Sequence, residues 1–160
     1  MIKVGIAEIK VARNPEVLSC NGLGSCVGIC LYDPISKMGG LAHVLLPDST
    51  RAKKGLTKPG KFADTAVDAL ISQMKRHGSV KRNIRAKLVG GARMFTSSNP
   101  DQNGLFDMGN QNAKAAKNVL KSLGIRIVAE ETGGDYGRSM EFNITTGKIK
   151  IKSKFGINEI

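Results

Sequence analysis

The sequence has few aromatic and few acidic residues. It contains no Trp, two Tyr and five Phe, and its 25 Lys and Arg outnumber 13 Asp and Glu, giving a formal net charge of +12 at pH 7. Such a charge implies an acidic partner or surface. A nucleic-acid-binding domain usually adds a recognition motif or stacking aromatics, whereas the basic residues here are scattered apart from 51–54 and 75–85. We therefore expect an acidic protein partner and no nucleic acid, with a basic nucleic-acid-binding protein as the alternative.

Long apolar runs and paired cysteines are missing too. No segment approaches the roughly 20 apolar residues of a membrane span. Residues 1–10 alternate polar and apolar side chains, unlike a signal peptide. The three cysteines are an odd number and do not make a disulfide framework. These absences predict a cytoplasmic protein with reduced thiols and no direct membrane insertion.

Short apolar runs separated by turn residues indicate more strands than helices. The 160 residues suffice for one domain, 1–160, that buries roughly two thirds of its unfolded surface. Helical spacing predicts helices over 61–77 and from Asn110 or Asn112 to Leu123, and polar loops are predicted over 49–60 and 96–104. Strands are predicted over 2–8, 17–20, 27–32, 41–46, 84–89, 125–130, 138–144 and 148–152. The expected fold class is α+β, a mixed and largely antiparallel sheet flanked by two main helices.

The residues best suited to chemistry lie in two neighbouring segments, 20–30 and 40–46. Gly22, Gly24 and Ser25 precede Cys26, and such residues allow a sharp bend that presents N–H groups beside an exposed nucleophile. His43 lies in the second segment, within Leu-Ala-His-Val-Leu-Leu. A buried thiol or a core histidine is the commoner role for either residue taken alone. The glycines favour catalysis, because a core strand does not need them.

A hairpin would bring these two side chains together. The residues at 33–36, Asp-Pro-Ile-Ser, are typical of a type I turn, and closing the turn there places Cys26 directly opposite His43. Directly opposed Cβ atoms are roughly 4.5–5.5 Å apart, within hydrogen-bonding reach for a thiol and an imidazole. Two-residue hairpins prefer other turn types, and Gly39 and Gly40 would also suit a longer, bulged loop. Both registers therefore stay open at this point.

Spacing disfavours two other functions that glycines and cysteines suggest. Gly22 and Gly24 follow a strand, as in a dinucleotide-binding loop, but strand-type residues come next where such a loop requires a helix. Cys26 and Cys30 on one strand would lie roughly 13 Å apart, too far to share a metal ion or form a disulfide. We expect no metal site and no cofactor.

Specific motifs resemble those of the chemoreceptor glutamine deamidase (CheD) family. The first reads Gly-Leu-Gly-Ser-Cys-Val and the second Leu-Ala-His-Val-Leu-Leu-Pro-Asp-Ser. The motifs follow the family's order along nearly the whole chain, at 22–27, 41–49, 58–64, 90–95, 131–134 and 137–139. The resemblance implies a layered α/β sandwich like that of other cysteine deamidases, formed by a single catalytic domain over 1–160.

The resemblance implies roles for two residues and leaves a third open. Cys26 maps onto the family's nucleophile and His43 onto its base, while N–H groups of the glycine segment would hold the oxyanion. The family's third member is a Thr six residues before the cysteine, where this chain has Cys20. His43 would then be oriented by Cys20 through its sulfur, by Ser19 or by a backbone carbonyl, or its orientation is simply poorer.

The resemblance further implies an activity and partners. The activity is conversion of chemoreceptor glutamine side chains to glutamate through a Cys thioester, in chemotaxis, with glutamyl methyl ester hydrolysis as a second reaction. The partners are the Glu-rich cytoplasmic helices of chemoreceptors and a CheC-type phosphatase. Gln111 departs from the family, which usually has Arg there, and this concerns a local contact rather than the chemistry. A binding-only chemotaxis adaptor is the alternative if Cys20 signals a weakened site.

Overall fold

A computed structural model gives the fold of residues 1–52, 58–94 and 107–160. These ranges contain ten strands in two five-stranded sheets and two α-helices, α1 (Ala63–Arg76) and α2 (Met108–Ser122). Short 3-10 helices lie at Ser49–Arg51, Pro59–Lys61 and Lys81–Asn83. The predicted loop at 96–104 lies outside the described residues, as do residues 53–57 of the loop predicted over 49–60.

Each sheet is mixed and mostly antiparallel. The outer sheet has the order β1 (Ile2–Lys3), β3 (Val17–Leu23), β8 (Arg138–Asn143), β9 (Ile149–Ser153) and β10 (Gly156–Glu159). The central sheet has the order β2 (Ile9–Arg13), β5 (Met38–Val44), β4 (Val27–Asp33), β6 (Arg85–Gly90) and β7 (Arg126–Thr132). Among the described strands, the β1–β3 and β6–β7 pairs alone are parallel.

The central sheet is buried on both faces, which makes the molecule a three-layer sandwich. On one face, Ile29 packs in a cluster with Leu70 of α1 and Leu120 of α2. On the other face, Leu41 packs with Met140 of the outer sheet. A strand covered on both faces carries apolar residues in succession, which explains the composition of β4. The predicted α+β sandwich with two main flanking helices is confirmed.

The first predicted strand, 2–8, is interrupted by a tight turn. The Gly5 N–H donates to the Glu8 carboxylate at 2.7 Å, and the Glu8 N–H donates to the Gly5 carbonyl at 3.0 Å. Between them Ala7 has a φ of 64°, in the left-handed region. Beyond the turn the chain enters the central sheet as β2. The sequence-based prediction includes neither β2 nor β10. Side-chain alternation does not reveal a turn made by one carboxylate and local backbone geometry.

The register predicted for the β4–β5 hairpin is wrong by two residues. Asp33 pairs with Met38 rather than with Ser36, so residues 34–37 connect the two strands. The Asp33 carboxylate accepts two backbone N–H groups from within this connection, at 2.9 and 3.1 Å, and Lys37 has a φ of 53°. The longer loop therefore depends on a left-handed lysine rather than on glycine. Because side chains alternate along a strand, a two-residue shift changes which residues are paired but leaves each side chain on the same face of the sheet.

Helix α2 packs directly on the backbone that follows β6. A Cβ atom added to Gly109 would overlap the Ala92 carbonyl oxygen and would lie 2.7 Å from the carbonyl carbons of Gly91 and Ala92. No side chain fits in this contact. Glycine here sets the distance between the helix layer and the end of β6.

We expect Gly109→Ala to destabilise the protein by about 1–3 kcal/mol, because the methyl group forces the helix away from Ala92. In an unhindered helix the same change would stabilise by roughly 0.5–1 kcal/mol. The measurement is the free energy of unfolding from urea titration. Asn118→Ala, at an exposed position of the same helix, is the control and should change little. A Gly109→Ala protein as stable as the parent would contradict the close contact.

Candidate active site

Cys26 lies where the chain passes from the outer sheet to the central sheet. β3 ends at Leu23 and β4 begins at Val27. The Cys26 side chain is 7% exposed and belongs to the apolar layer between the sheets, whereas Cys20 and Cys30 are 0% and 1% exposed. Of the three thiols, Cys26 is therefore the most accessible.

A β-bulge precedes this passage. Cys20 and Leu23 pair with residues of β8 that are two positions apart, so Asn21 and Gly22 together face a single partner residue. Gly22 has a φ of 67°, which residues with a side chain rarely adopt. Bulges bend a strand and re-aim the chain that follows. The bend predicted from the glycines is therefore a bulge at Gly22 followed by a short bend at residues 24–25.

Hydrogen bonds hold three successive backbone carbonyls around Cys26. The Ala92 N–H donates to the Gly24 carbonyl and the Gly91 N–H to the Cys26 carbonyl, both at 2.9 Å. The carbonyl between them, that of Ser25, accepts from a side-chain amide of α2, also at 2.9 Å. In a planar trans peptide the N–H points opposite to the C=O, so the N–H groups of Ser25 and Cys26 are aimed away from these donors. In the described part of the chain, neither N–H has an acceptor on another residue.

His43 lies within β5, with its backbone fixed on both sides. Its N–H donates to the Glu8 carbonyl at 3.1 Å and its carbonyl accepts the Ala7 N–H at 2.8 Å, while Gly28 of β4 pairs with it from the other side. Its neighbours on β5 pack toward the helices, so the imidazole faces the outer sheet. The His43 side chain is buried, at 2% exposure.

Cys26 and His43 share a face of the central sheet without being directly opposed. The direct partner of His43 is Gly28, and Cys26 lies two residues before it, on the diagonal. Cα atoms of diagonal neighbours are roughly 7–8 Å apart. Neither imidazole nitrogen has a hydrogen-bond partner among the described residues, so the thiol and the imidazole are not hydrogen-bonded. Such bonds often tighten only when substrate is bound.

Burial raises the pKa of every thiol in this layer. It raises the pKa of Cys20 to about 12, with a smaller contribution from the nearby Cys26, and it raises that of Cys30 well above its ordinary value. The pKa of Cys26 is also raised by burial, which its own backbone N–H partly opposes. Cys26 therefore rests as a neutral thiol and needs a base to become a nucleophile.

Burial lowers the pKa of His43. The main chain of Val4 and the carboxylate of Glu8 oppose this shift without cancelling it. The Val4 main chain lies near the imidazole but lacks the geometry of a hydrogen bond. A lowered pKa keeps the imidazole neutral at pH 7, which is the form that can accept a proton.

No sequence-based candidate for the third member is hydrogen-bonded to His43 in the described part of the chain. Cys20 faces the layer between the sheets and packs there as an apolar residue. Ser19 points to the opposite side of β3, into a groove on the outer face of the outer sheet that Glu141 also lines. A backbone carbonyl stays an alternative, since the main chain of Val4 acts to raise the pKa of His43.

Sequence reasoning missed the contribution of Asn112. The sequence-based prediction treats it only as the start of a helix, whereas α2 begins at Met108 and Asn112 is buried inside it. Its amide is the group that holds the Ser25 carbonyl. The sequence does carry a sign of this role. Asn112 lies four residues before Ala116, so it is a polar residue on the apolar face of an amphipathic helix.

An ion pair between buried Arg138 and partly exposed Glu131 supports the segment that holds the Cys26 backbone. Arg138, 3% exposed, donates to the Glu131 carboxylate at 3.0 Å and to the Gly133 carbonyl at 2.9 Å. The Gly133 N–H in turn donates to the Gly90 carbonyl at 3.0 Å. The motif at 131–139 therefore braces the end of β6, next to the donors at 91 and 92.

The described residues contain no group of three or more His, Cys, Asp or Glu side chains placed to bind a metal ion. Within the same ranges, no helix has the length and apolar character needed to span a membrane.

Comparison with known proteins finds a matching family and similar proteins. The family described as CheD chemotactic sensory transduction matches residues 45–153. A probable chemoreceptor glutamine deamidase CheD of Desulforamulus reducens is 49% identical over 152 residues, covering 95% of this chain and 90% of that protein. The corresponding protein of Clostridium novyi is 47% identical, covering 95% and 92%. The crystal structure of the Bacillus licheniformis hypothetical protein YfiH matches with a TM-score of 0.48 and 16% identity, covering 76% of this chain and 49% of that chain.

We expect iodoacetamide to label Cys26 before Cys20 and Cys30 in the native protein, because Cys26 is the most exposed of the three. Since burial raises its pKa, labelling should accelerate as pH rises above 7, in proportion to the thiolate. Peptide mapping by mass spectrometry gives the site and the rate. Cys26→Ala is the control and should leave the native protein almost unlabelled. Faster labelling of Cys20 or Cys30 would contradict the assignment.

Proposed function

The chain belongs to the CheD family, and on that premise we propose that it deamidates glutamine side chains of chemoreceptors in chemotaxis. The observation that carries the proposal is the placement of Cys26 and His43 on one face of the central sheet, beside the N–H groups of Ser25 and Cys26, which have no acceptor on another residue within the described ranges. The relatives named as probable chemoreceptor glutamine deamidases cover nearly all of the chain, so the proposal assigns the whole of 1–160 to one catalytic domain.

In the first half of the reaction, His43 takes the proton of the Cys26 thiol and the thiolate attacks the carbonyl carbon of the glutamine side chain. The neutral imidazole and the neutral thiol are the resting forms that this transfer requires. His43 then returns the proton to the nitrogen, the C–N bond breaks and ammonia leaves. The glutamyl group remains attached to Cys26 as a thioester.

The N–H groups of Ser25 and Cys26 are the proposed donors to the oxyanion. Their peptide groups are held through the carbonyls of Gly24 and Ser25, so the N–H groups need little reorganisation when charge develops. Fixed donors of this kind each contribute about 2.7–4 kcal/mol in well-studied hydrolases.

In the second half, His43 takes a proton from water and the hydroxide attacks the thioester. The C–S bond breaks, the Cys26 sulfur recovers a proton, and glutamate is released. The same acyl chemistry would hydrolyse a glutamyl methyl ester, with methanol in place of ammonia as the leaving group. No metal or cofactor takes part in the proposed steps.

The proposal also covers the partners. A charge of +12 suits an acidic receptor surface, and charge complementarity speeds association more than it strengthens binding. We propose that the protein acts in the cytoplasm on the cytoplasmic helices of chemoreceptors and binds a CheC-type phosphatase. The absence of a nucleic acid partner stays a prediction.

We expect the protein to increase the mass of a chemoreceptor cytoplasmic fragment by about 1 Da for each glutamine converted to glutamate, and Cys26→Ala to abolish the reaction. His43→Ala should slow it by about 10²–10⁴-fold, because a positioned base is lost. Mass spectrometry of receptor peptides follows the reaction. Cys30→Ala removes a more deeply buried thiol from the same layer and should retain activity. Binding without any mass change would instead identify an adaptor.

We expect Cys20→Thr to leave turnover equal or to raise it, because a hydroxyl orients an imidazole better than a thiol does. Cys20→Val, similar in size, should change turnover little if Cys20 only packs in the layer between the sheets. Both variants are measured with the same receptor fragment. A large loss in Cys20→Thr alongside an unaffected Cys20→Val would show that position 20 tolerates only apolar side chains, and that His43 is oriented by another group.

A further inference from the structure

Asn112 is a polar side chain on the buried face of α2. It is 0% exposed, and the other buried residues of this helix are apolar, including Ala113, Ala116 and Leu120. Burying an amide without hydrogen bonds costs about 1–3 kcal/mol in proteins. A buried polar residue in such a place therefore requires a compensating role.

The Asn112 amide joins two separate segments of the chain. Its Nδ2 donates to the Ser25 carbonyl at 2.9 Å and to the Leu45 carbonyl at 3.0 Å. Both partners are acceptors, so the nitrogen rather than the oxygen must face them. The Oδ1 is buried and has no hydrogen-bond partner among the described residues. The side chain thus leaves its acceptor unsatisfied in order to place both of its N–H donors.

The two carbonyls belong to the segments that carry the nucleophile and the base. The Ser25 carbonyl shares a planar peptide group with the Cys26 N–H, so holding one directs the other. Leu45 lies two residues after His43, directly after the end of β5. One nitrogen atom, supplied by the helix layer, is therefore within hydrogen-bond distance of both catalytic segments.

We propose that Asn112 is a positioning residue. It fixes the separation between the segment 24–26, which carries Cys26, and β5, which carries His43, and it aims the Cys26 N–H at the developing oxyanion. The inference rests on the proposed function for its catalytic consequence. It does not require Asn112 to touch the substrate.

The chemistry of the side chain explains why asparagine suits the position. Two N–H donors on one atom are needed within the reach of a two-carbon side chain. Asp has the same shape but presents oxygen to two carbonyl oxygens, and Ala removes the donors and leaves two carbonyls unpaired. Gln would add a methylene group to a closely packed layer.

The test compares Asn112→Ala and Asn112→Asp with Leu120→Ala, a cavity-forming control at a fully buried position of the same helix. Both Asn112 variants should lower kcat for receptor deamidation by about 10–100-fold, because a displacement of about 1 Å at the site is enough for such a loss. KM should stay close to that of the parent. Leu120→Ala destabilises the fold through lost packing and should retain kcat at temperatures well below its Tm.

Cys26 labelling by iodoacetamide provides a second measurement that does not depend on the substrate. If Asn112 holds Cys26 and His43 together, labelling of Asn112→Ala at pH 7 should slow toward the rate of His43→Ala. Should Asn112→Asp fail to fold, Asn112→Ala carries both measurements. Thermal unfolding of each variant separates loss of fold from loss of geometry.

The outcomes separate this inference from the proposed function. An Asn112→Ala protein that keeps parental kcat and labelling, or loses no more than Leu120→Ala, would overturn the positioning role. If the parent protein deamidates no receptor but Asn112→Ala still labels as slowly as His43→Ala, the proposed function fails and the positioning role stands. A rise in KM with unchanged kcat would assign Asn112 to substrate binding and would likewise overturn the inference.

Discussion

Burial of the central sheet on both faces determines the chemistry of the site. Cys26 and His43 both lie in the apolar layer between the sheets, where charge is costly. The pKa of the thiol is raised and that of the imidazole is lowered, so both rest neutral rather than as a thiolate–imidazolium pair. In the proposed reaction, the thiol must therefore lose its proton to His43 as it attacks. Without His43 as a base, such a site gives little nucleophilicity to the thiol.

The site is held mainly through its backbone. The carbonyls of Gly24, Ser25 and Cys26 are fixed from the end of β6 and from α2, and His43 is bonded through its main chain to the turn at residues 7 and 8. This arrangement reduces the dependence of the geometry on any single side chain that contacts the imidazole. Position 20 is occupied by a cysteine that packs as an apolar residue.

Sequence reasoning succeeded where a pattern extends over many residues. The apolar runs of β4 and the helical spacing of α1 follow directly from burial, and the shared face of Cys26 and His43 follows from alternation. It failed where one local group decides the geometry. The hairpin register depends on the Asp33 carboxylate and on left-handed Lys37, and the first strand ends because Glu8 bonds back to Gly5. Asn112 was hidden because its partners, 87 and 67 residues away, are close only in the folded chain.

The bulge at Asn21 and Gly22 has a consequence for insertions and deletions. Cys20 and Leu23, three residues apart, are both fully buried on the same side because the bulge absorbs one residue of the alternation. Losing one residue there would reverse which side chains face the core from Leu23 onward, whereas the connection at 34–37 lies between strand ends and can change length without that reversal. Gaps between related sequences should therefore be tolerated in the connection at 34–37 and excluded from the bulge.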